Sequence, residues 1–205
     1  MKKIISVFLV AATCFALCAC QNTPSVTIEN LSGKWATSIP GLEESLTINT
    51  NSTFDRGDDK GMVTISEDSF VTENRLGSKT TYYIHDNYIY KPTHPFEKDD
   101  EYGFPFSPDE NGRTEQSFCI NASNFTLTQK DGYTHCSIDF HQDGTYVMKF
   151  GWFSVNHFGG ANVDKTLKGT YSYQDNIITL TNGTETYPLI VGEENQIYYI
   201  VYEKQ

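Results

Sequence analysis

An internal repeat constrains the fold of this 205-residue chain more than any other feature of its sequence. In residues 46–54 and again in residues 138–146, alternating apolar and polar positions lead to a polar turn pair, a threonine and an aromatic residue. Alternation on both sides of a turn pair is typical of a β-hairpin. Two further pairs of hairpin-like segments follow in the same order, residues 61–70 with 169–178 and residues 87–90 with 195–198. The sequence therefore predicts two copies of one β-architecture.

The two copies define β-units of unequal length. The first unit is predicted over residues 31–91 and the second over residues 122–205, with the extra length mainly in an insertion at residues 151–168. Between the units, residues 92–121 carry four prolines and a run of acidic residues. Because proline cannot donate to a β-ladder, we expect a linker or a long loop there.

The composition indicates the fold class. Tyrosine, phenylalanine, threonine and isoleucine are abundant and are interrupted by glycine, asparagine and aspartate, which is typical of antiparallel sheet. No long segment of the sequence has the periodicity of an amphipathic helix. We therefore expect an all-β fold of antiparallel hairpins in two repeated units. Two small barrels and one merged barrel or sandwich both satisfy the pattern, and the sequence leaves this choice open.

Three short motifs point to a particular kind of β-domain. They are Gly-Lys-Trp at residues 33–35, Asp-Gly-Thr-Tyr at residues 143–146 and Gly-Thr-Tyr at residues 169–171. Together they resemble the lipocalin-like domains of many bacterial lipoproteins, although neither unit carries all three motifs. The resemblance implies a barrel-like fold in which Trp35 has a structural role and packs across the barrel floor.

The N-terminal segment has the three parts of an export signal. Two lysines precede 13 apolar residues, which are too few to cross a bilayer as a permanent helix. The following Leu-Cys-Ala-Cys at residues 17–20 resembles the lipobox of bacterial lipoproteins. We therefore predict a signal peptide over residues 1–19, lipidation of Cys20 and a short tether over residues 20–30.

The resemblance and the charge together indicate where the protein resides. Two or more acyl chains on Cys20 would hold it at a membrane without a transmembrane helix, which predicts a lipid-anchored protein of the cell envelope. Gln21 favours the outer membrane if the cell is Gram-negative. Residues 1–19 contain two of the 15 basic residues and none of the 26 acidic ones, so the mature chain would have a net charge near −13. This balance excludes a nucleic-acid partner, since nucleic-acid binding needs the opposite sign.

The cysteines predict a disulfide bond. Beyond Cys20 the mature chain would contain only Cys119 and Cys136, and two thiols in an oxidising compartment most simply form one bridge. His135 and His141 flank Cys136, but alternation along a strand would separate their faces. No metal site is therefore predicted.

The insertion at residues 151–168 is the candidate binding site. The sequence contains no HExxH motif and no Gly-x-Ser-x-Gly elbow, so we predict no catalytic residues, no cofactor and no enzymatic activity. The insertion, in contrast, combines glycines with Trp152, Phe153, His157 and Phe158, and long aromatic loops often carry binding. The alternative is that these aromatic residues fold back and cap their own barrel.

Two classes of function remain open. The first is a non-enzymatic binding module for a small apolar or amphipathic ligand or for a glycan. The second is a role in protein interaction, as an inhibitor, an assembly factor or an envelope sensor that uses loops and sheet edges. A deep apolar pocket would favour the first class, and a filled barrel with an exposed aromatic loop would favour the second.

Overall fold

The computed structural model describes residues 26–39, 44–92, 97–98, 106–120, 135–153 and 161–205. The predicted signal peptide and Cys20 lie outside these residues, as do His157 and Phe158. Within the described part of the chain, the strands form two antiparallel sheets, and the helical segments are limited to Ile28–Leu31 and Glu193–Asn195. The predicted all-β fold class is therefore confirmed. No helix among these residues has the length and apolar character needed to span a membrane.

The first sheet is a closed barrel of eight strands. In chain order they are β1 (Gly33–Thr37), β2 (Ser45–Ile48), β3 (Thr53–Arg56), β4 (Asp59–Ile65), β5 (Ser69–Asn74), β6 (Lys79–His85), β7 (Tyr88–Tyr90) and β16 (Val201–Lys204). Strands β1 to β7 pair in sequence order, and β16 completes the ring between β1 and β7.

The second sheet also has eight strands, which pair in chain order without closing. They are β8 (Glu97–Lys98), β9 (Gln116–Ile120), β10 (His135–Phe140), β11 (Thr145–Phe153), β12 (Ala161–Gln174), β13 (Ile177–Asn182), β14 (Glu185–Val191) and β15 (Ile197–Tyr198). The buried side chains of the barrel and of this sheet form one continuous hydrophobic core.

The structure divides the chain differently from the predicted units. Strands β8 and β9 lie within the predicted linker, residues 92–121, and pair with each other and with β10. They fit there because the four prolines of this segment all lie outside the two strands. At the other end of the chain, β16 falls within the predicted second unit but closes the first barrel, where β1 and β7 would otherwise be unpaired edges.

The predicted insertion is partly an extension of a hairpin. Strands β11 and β12 continue through it, and Gly151, Trp152 and Phe153 pair with residues of 161–163. The register shifts between Phe150 and Gly151, which marks a β-bulge. We call the paired residues 151–153 and 161–163 the arm.

The repeat has a physical basis in one aromatic–glycine pair per copy. Gly61 on β4 lies opposite Phe54 on β3, and Gly169 on β12 lies opposite Tyr146 on β11. A Cβ atom on Gly61 or Gly169 would lie 1.9 or 1.8 Å, respectively, from a carbonyl oxygen of the next strand. Both copies therefore require glycine at this position, because the strands approach too closely for any side chain.

Aromatic side chains pack inside the barrel. Phe70 and Tyr82 stack with ring centroids 4.9 Å apart, and Tyr202 meets Tyr82 edge-on at 5.9 Å. Trp35 is buried, and its indole N–H donates to the Leu31 carbonyl at 2.8 Å. An eight-stranded barrel is just wide enough to be filled in this way or to hold one small ligand. In this protein buried aromatic side chains occupy part of that interior.

The predicted disulfide is wrong, and the register of β9 and β10 explains why. Cys119 lies opposite Ser137, whereas Cys136 lies opposite Ile120. Residues opposite each other share a face of the sheet and successive residues alternate, so the two cysteines point to opposite faces. Cys136 faces the core, and no disulfide bond joins it to Cys119.

We therefore expect the two cysteines to differ in reactivity. Complete burial and the nearby Cys119 raise the pKa of the Cys136 thiol well above its usual value, and an inaccessible neutral thiol is a poor nucleophile. Iodoacetamide should modify Cys119 before Cys136 in the native protein, and both residues after denaturation without a reductant. Peptide mass spectrometry checks this, and a Cys119–Cys136 crosslinked peptide would contradict it.

Candidate functional site

An open cleft of about 850 Å³ lies between the barrel and the second sheet. Its barrel wall consists of residues 36–39 and 44–45, at the end of β1 and the start of β2. Its other wall consists of Lys165 on β12 and residues 185–187 on β14. Hydroxyl and charged groups are prominent on both walls, so the cleft is suited to a polar ligand.

Local hydrogen bonds fix the barrel wall of the cleft. The Thr37 N–H donates to the Glu44 carbonyl at 3.0 Å, and the Glu44 N–H donates to Thr37 Oγ1 at 2.9 Å. These bonds hold the end of β1 beside the start of β2. The Ser38 Oγ is buried next to them and has no hydrogen-bond partner within the described residues.

The Glu44 carboxylate is held from inside the barrel. The Tyr202 hydroxyl donates to Glu44 Oε2, and the Lys91 ammonium lies 3.7 Å from the same oxygen. Burial raises the pKa of Tyr202 well above its usual value, so this hydroxyl stays protonated and remains a donor. In the described part of the chain the other oxygen, Oε1, accepts no hydrogen bond, although the Glu44 side chain is 31% exposed.

A second carboxylate is held in the same way on the opposite wall. The Tyr187 hydroxyl donates to Glu185 Oε2, and the Tyr187 ring is buried. Burial, together with the adjacent Glu185 carboxylate, raises the pKa of Tyr187, which again keeps the hydroxyl protonated. We refer to Glu44 and Glu185 as the tyrosine-held carboxylates.

Lys165 supplies a positive charge to the same wall as Glu185. It is exposed, pairs with Phe150 immediately before the β-bulge, and forms no ion pair with any described residue. Its three N–H groups can only donate hydrogen bonds. The cleft lining therefore contains one positive and two negative side chains, while Lys91 lies 3.7 Å from Glu44 Oε2 without lining the cleft.

Two of the predicted binding residues, Trp152 and Phe153, belong to the arm. The arm begins at the bulge directly after the Phe150–Lys165 pair, and neither residue lines the cleft. His157 and Phe158 lie outside the described residues. Sequence reasoning missed Glu44, Lys165 and Glu185, because each is an ordinary polar residue in its own segment and the folded chain alone brings the segments together.

The groups in the cleft are suited to binding a ligand through hydrogen bonds. Two carboxylates of fixed orientation accept hydrogen bonds, and one ammonium donates them. No group of three or more His, Cys, Asp or Glu side chains in the described ranges is arranged to hold a metal ion. The arrangement can orient a ligand that both donates and accepts hydrogen bonds.

Comparison with known proteins adds no assignment, because no protein-family model, curated protein or solved structure matches this chain. The all-β structure with barrel-like sheets is consistent with a lipocalin-like fold. Fold alone does not define function, so any functional argument has to rest on the site.

Proposed function

We propose that this protein is a non-enzymatic, lipid-anchored binding protein of the bacterial cell envelope, and that its cleft binds a neutral glycan. The observation that carries this proposal is the pair of tyrosine-held carboxylates, Glu44 and Glu185, on opposite walls of one cleft. Each uses one oxygen to bind its tyrosine, which leaves the other for a ligand donor. A glycan has many hydroxyl groups that can act as such donors. Hydrogen bonds to carboxylates are stronger than those between neutral groups.

The charges favour a neutral glycan over a charged one. Lys165 lines the cleft and Lys91 lies 3.7 Å from Glu44 Oε2, outside the lining residues, so the charges of the two carboxylates are largely balanced and neither sign of ligand gains a strong net attraction. The whole chain has a formal net charge of −11, which repels anionic polysaccharides at longer range. The Lys165 ammonium can in addition donate to a neutral carbonyl, such as that of an acetamido group.

Two features of the sequence support the rest of the proposal. The signal-like residues 1–19 and the lipobox-like segment ending at Cys20 favour export and lipid anchoring, with the outer membrane as the expected site in a Gram-negative cell. The arm with Trp152 and Phe153 is continuous with the cleft wall, and binding sites commonly combine aromatic surfaces with a few placed polar groups.

The charge class of the glycan can be tested with four tetrasaccharides of equal length. Isothermal titration calorimetry should detect binding of the neutral chitotetraose or maltotetraose, and weaker binding of a glucosamine or galacturonic acid tetramer. If none of the four binds, the glycan proposal fails. Preferred binding of a charged tetramer would overturn the assignment of a neutral ligand.

A variant pair tests the site. Glu185→Gln should raise the dissociation constant for the best neutral tetrasaccharide about tenfold, since a hydrogen bond to a charged group contributes roughly 1.5–3 kcal/mol and one to a neutral amide only roughly 0.5–1.5 kcal/mol. The melting temperature should change little, because Glu185 is exposed. Glu73→Gln is the matched control, since Glu73 pairs with Lys79 on the barrel and does not line the cleft. Unchanged affinity in Glu185→Gln would place binding elsewhere.

The open second sheet favours a second candidate, a protein-interaction role at a sheet edge. Strands β8 and β15 end the sheet, and an extended segment of a partner can add to such an edge. This alternative predicts that a partner protein, and none of the tetrasaccharides, protects the β15 amides from hydrogen exchange.

A further inference from the structure

One strand that borders the cleft has an edge that is only partly paired. Strand β14 pairs with β13 along its whole length, whereas β15 pairs with it only at Ile190 and Val191. The residues at the other end of β14, 185–187, line the cleft. The part of β14 that β15 leaves uncovered therefore reaches the cleft.

The hydrogen-bond pattern of β14 shows which of its backbone groups point to this edge. The Val191 N–H donates to the Asn176 carbonyl at 2.8 Å, on the β13 side of the strand. The next N–H, that of Gly192, donates to the Gln196 carbonyl at 2.9 Å, on the β15 side. Because successive residues of a strand alternate in direction, the even-numbered residues of β14 direct their backbone groups away from β13.

The sequence of β14 leaves a single N–H donor on this edge, that of Thr186. Pro188 has no N–H, and Ile190 is paired with Tyr198 of β15. Thr186 is exposed, and its N–H has no hydrogen-bond partner among the residues that the structure describes. The cleft is therefore bordered by one backbone donor, next to the Glu185 carboxylate.

We infer that the Thr186 N–H binds the carbonyl of an acetamido group, so that the ligand of the cleft is a neutral N-acetylated glycan. This inference rests on the proposed function and names the class of neutral glycan. An amide carbonyl is the ordinary partner of an N–H at the edge of a strand. The rings of a neutral glycan that has hydroxyl groups alone carry no carbonyl.

The opposite wall suits the other half of the same group. A secondary amide is planar and trans, so its N–H points away from its carbonyl oxygen. When the carbonyl accepts from Thr186, the acetamido N–H is directed away from β14. The barrel wall carries the Glu44 carboxylate, whose Oε1 accepts no hydrogen bond from a described residue. An acetamido group that bridges the cleft needs a donor on one wall and an acceptor on the other.

The same edge does not suit an extended peptide. A partner strand that adds to a sheet edge forms hydrogen bonds with alternate residues over several positions. Pro188 interrupts this series at the first position after Thr186, and β15 occupies the next one. The edge therefore fits a single amide group and not a strand.

Two tetrasaccharides of the same linkage test the inference. Chitotetraose and cellotetraose differ at C2 of each ring, which carries an acetamido group in the first and a hydroxyl group in the second. Isothermal titration calorimetry should show that chitotetraose binds about tenfold more tightly or better. Equal binding would overturn the inference and leave the neutral-glycan proposal standing. If no neutral tetrasaccharide binds, both fail.

A variant pair tests the backbone donor itself. Thr186→Pro removes the N–H without breaking the ladder to β13, and Pro188 shows that a proline fits the same side of this strand. Affinity for chitotetraose should fall roughly 3- to 10-fold, the effect of one lost hydrogen bond. Thr186→Val is the matched control, since it keeps the N–H and the branched shape, and it should bind like the wild type. An equal loss in Thr186→Val would place the contact at the side chain and overturn the inference.

If Thr186→Pro does not fold, amide hydrogen exchange in the wild type gives the answer. The Thr186 amide should exchange fast in the free protein and more slowly with saturating chitotetraose. The Tyr187 amide is the control, because it is directed to β13 and should exchange slowly in both states. A Thr186 amide that is already protected in the free protein, or that chitotetraose leaves unprotected, would overturn the inference. Protection by an extended peptide and not by chitotetraose would overturn it as well.

Discussion

Deletion of residues 201–205 is expected to abolish the folded barrel. These residues include β16, which pairs with β1 on one side and with β7 on the other. Without it, β1 and β7 each lose one of their two neighbouring strands, and the barrel opens there and exposes its hydrophobic interior to water. Val201 and Tyr202 are also almost completely buried, at 1% and 0% exposure.

The size of the effect follows from those two side chains. Complete burial of a valine contributes about 1.5–3 kcal/mol, and loss of a buried aromatic costs about 3–5 kcal/mol. Their sum approaches the whole stability of a typical domain, roughly 5–15 kcal/mol. Circular dichroism during urea titration should therefore show no cooperative transition for the barrel in the truncated protein.

A shorter deletion is the control for this experiment. Removing Gln205 alone takes away one backbone hydrogen bond, from the Gln205 N–H to the Lys34 carbonyl, and leaves β16 intact. That variant should unfold nearly like the wild type. If the deletion of residues 201–205 also unfolds at the wild-type urea concentration, β16 is not the strand that closes the barrel.

The same strand shows what the sequence could not predict. Residues 201–204 read as a generic strand that follows β15 after two residues, so the sequence placed them in the second unit. Their actual partners, β1 and β7, are distant in the chain. Both have an edge that only β16 pairs with. The alternation of apolar and polar residues predicts that a strand exists and which of its residues share a face. It does not identify the strand that pairs with it.

The disulfide prediction was wrong and the cleft was not predicted from the sequence, for related reasons. Cys119 and Cys136 are close enough in sequence to suggest a bridge, yet a register in which Cys119 faces Ser137 puts the two thiols on opposite faces. In the cleft, Glu44 and Glu185 have no local motif and are related only by the packing of two sheets. Information of this kind is absent from local patterns.

The repeat was predictable because its cause is local. In both copies an aromatic residue just beyond a tight turn faces a glycine on the next strand, although the insertion separates the two residues along the chain in the second copy. Ser52 and Gly144 occupy equivalent turn positions, and both have positive φ, 60° and 82°. Each also accepts, through its carbonyl, a backbone hydrogen bond of 2.8 Å from the strand that contains the glycine. Local geometry of this type requires particular residue types, which can be recognised in the sequence.

Alanine at either repeat glycine is expected to destabilise the protein strongly. In Gly61→Ala and Gly169→Ala the new Cβ atom would lie within 2 Å of a backbone carbonyl oxygen, so whole strands would have to separate. Overpacking that moves backbone costs about 3 kcal/mol or more at the upper end of its range. Urea unfolding of each variant measures this loss.

Gly183→Ala separates the effect of close approach from that of backbone conformation. Gly183 has a φ of +63°, but a Cβ atom there would meet nothing within 4 Å. Its replacement should cost only the strain of a left-handed conformation, about 1–2 kcal/mol. Gly61 and Gly169 lack positive φ values, so their larger losses can come only from crowding between strands. Similar losses of unfolding free energy in Gly61→Ala and Gly169→Ala would show that both copies depend on the same close packing of strands. A loss in only one variant would mean that the two copies are similar in sequence without a common structural cause.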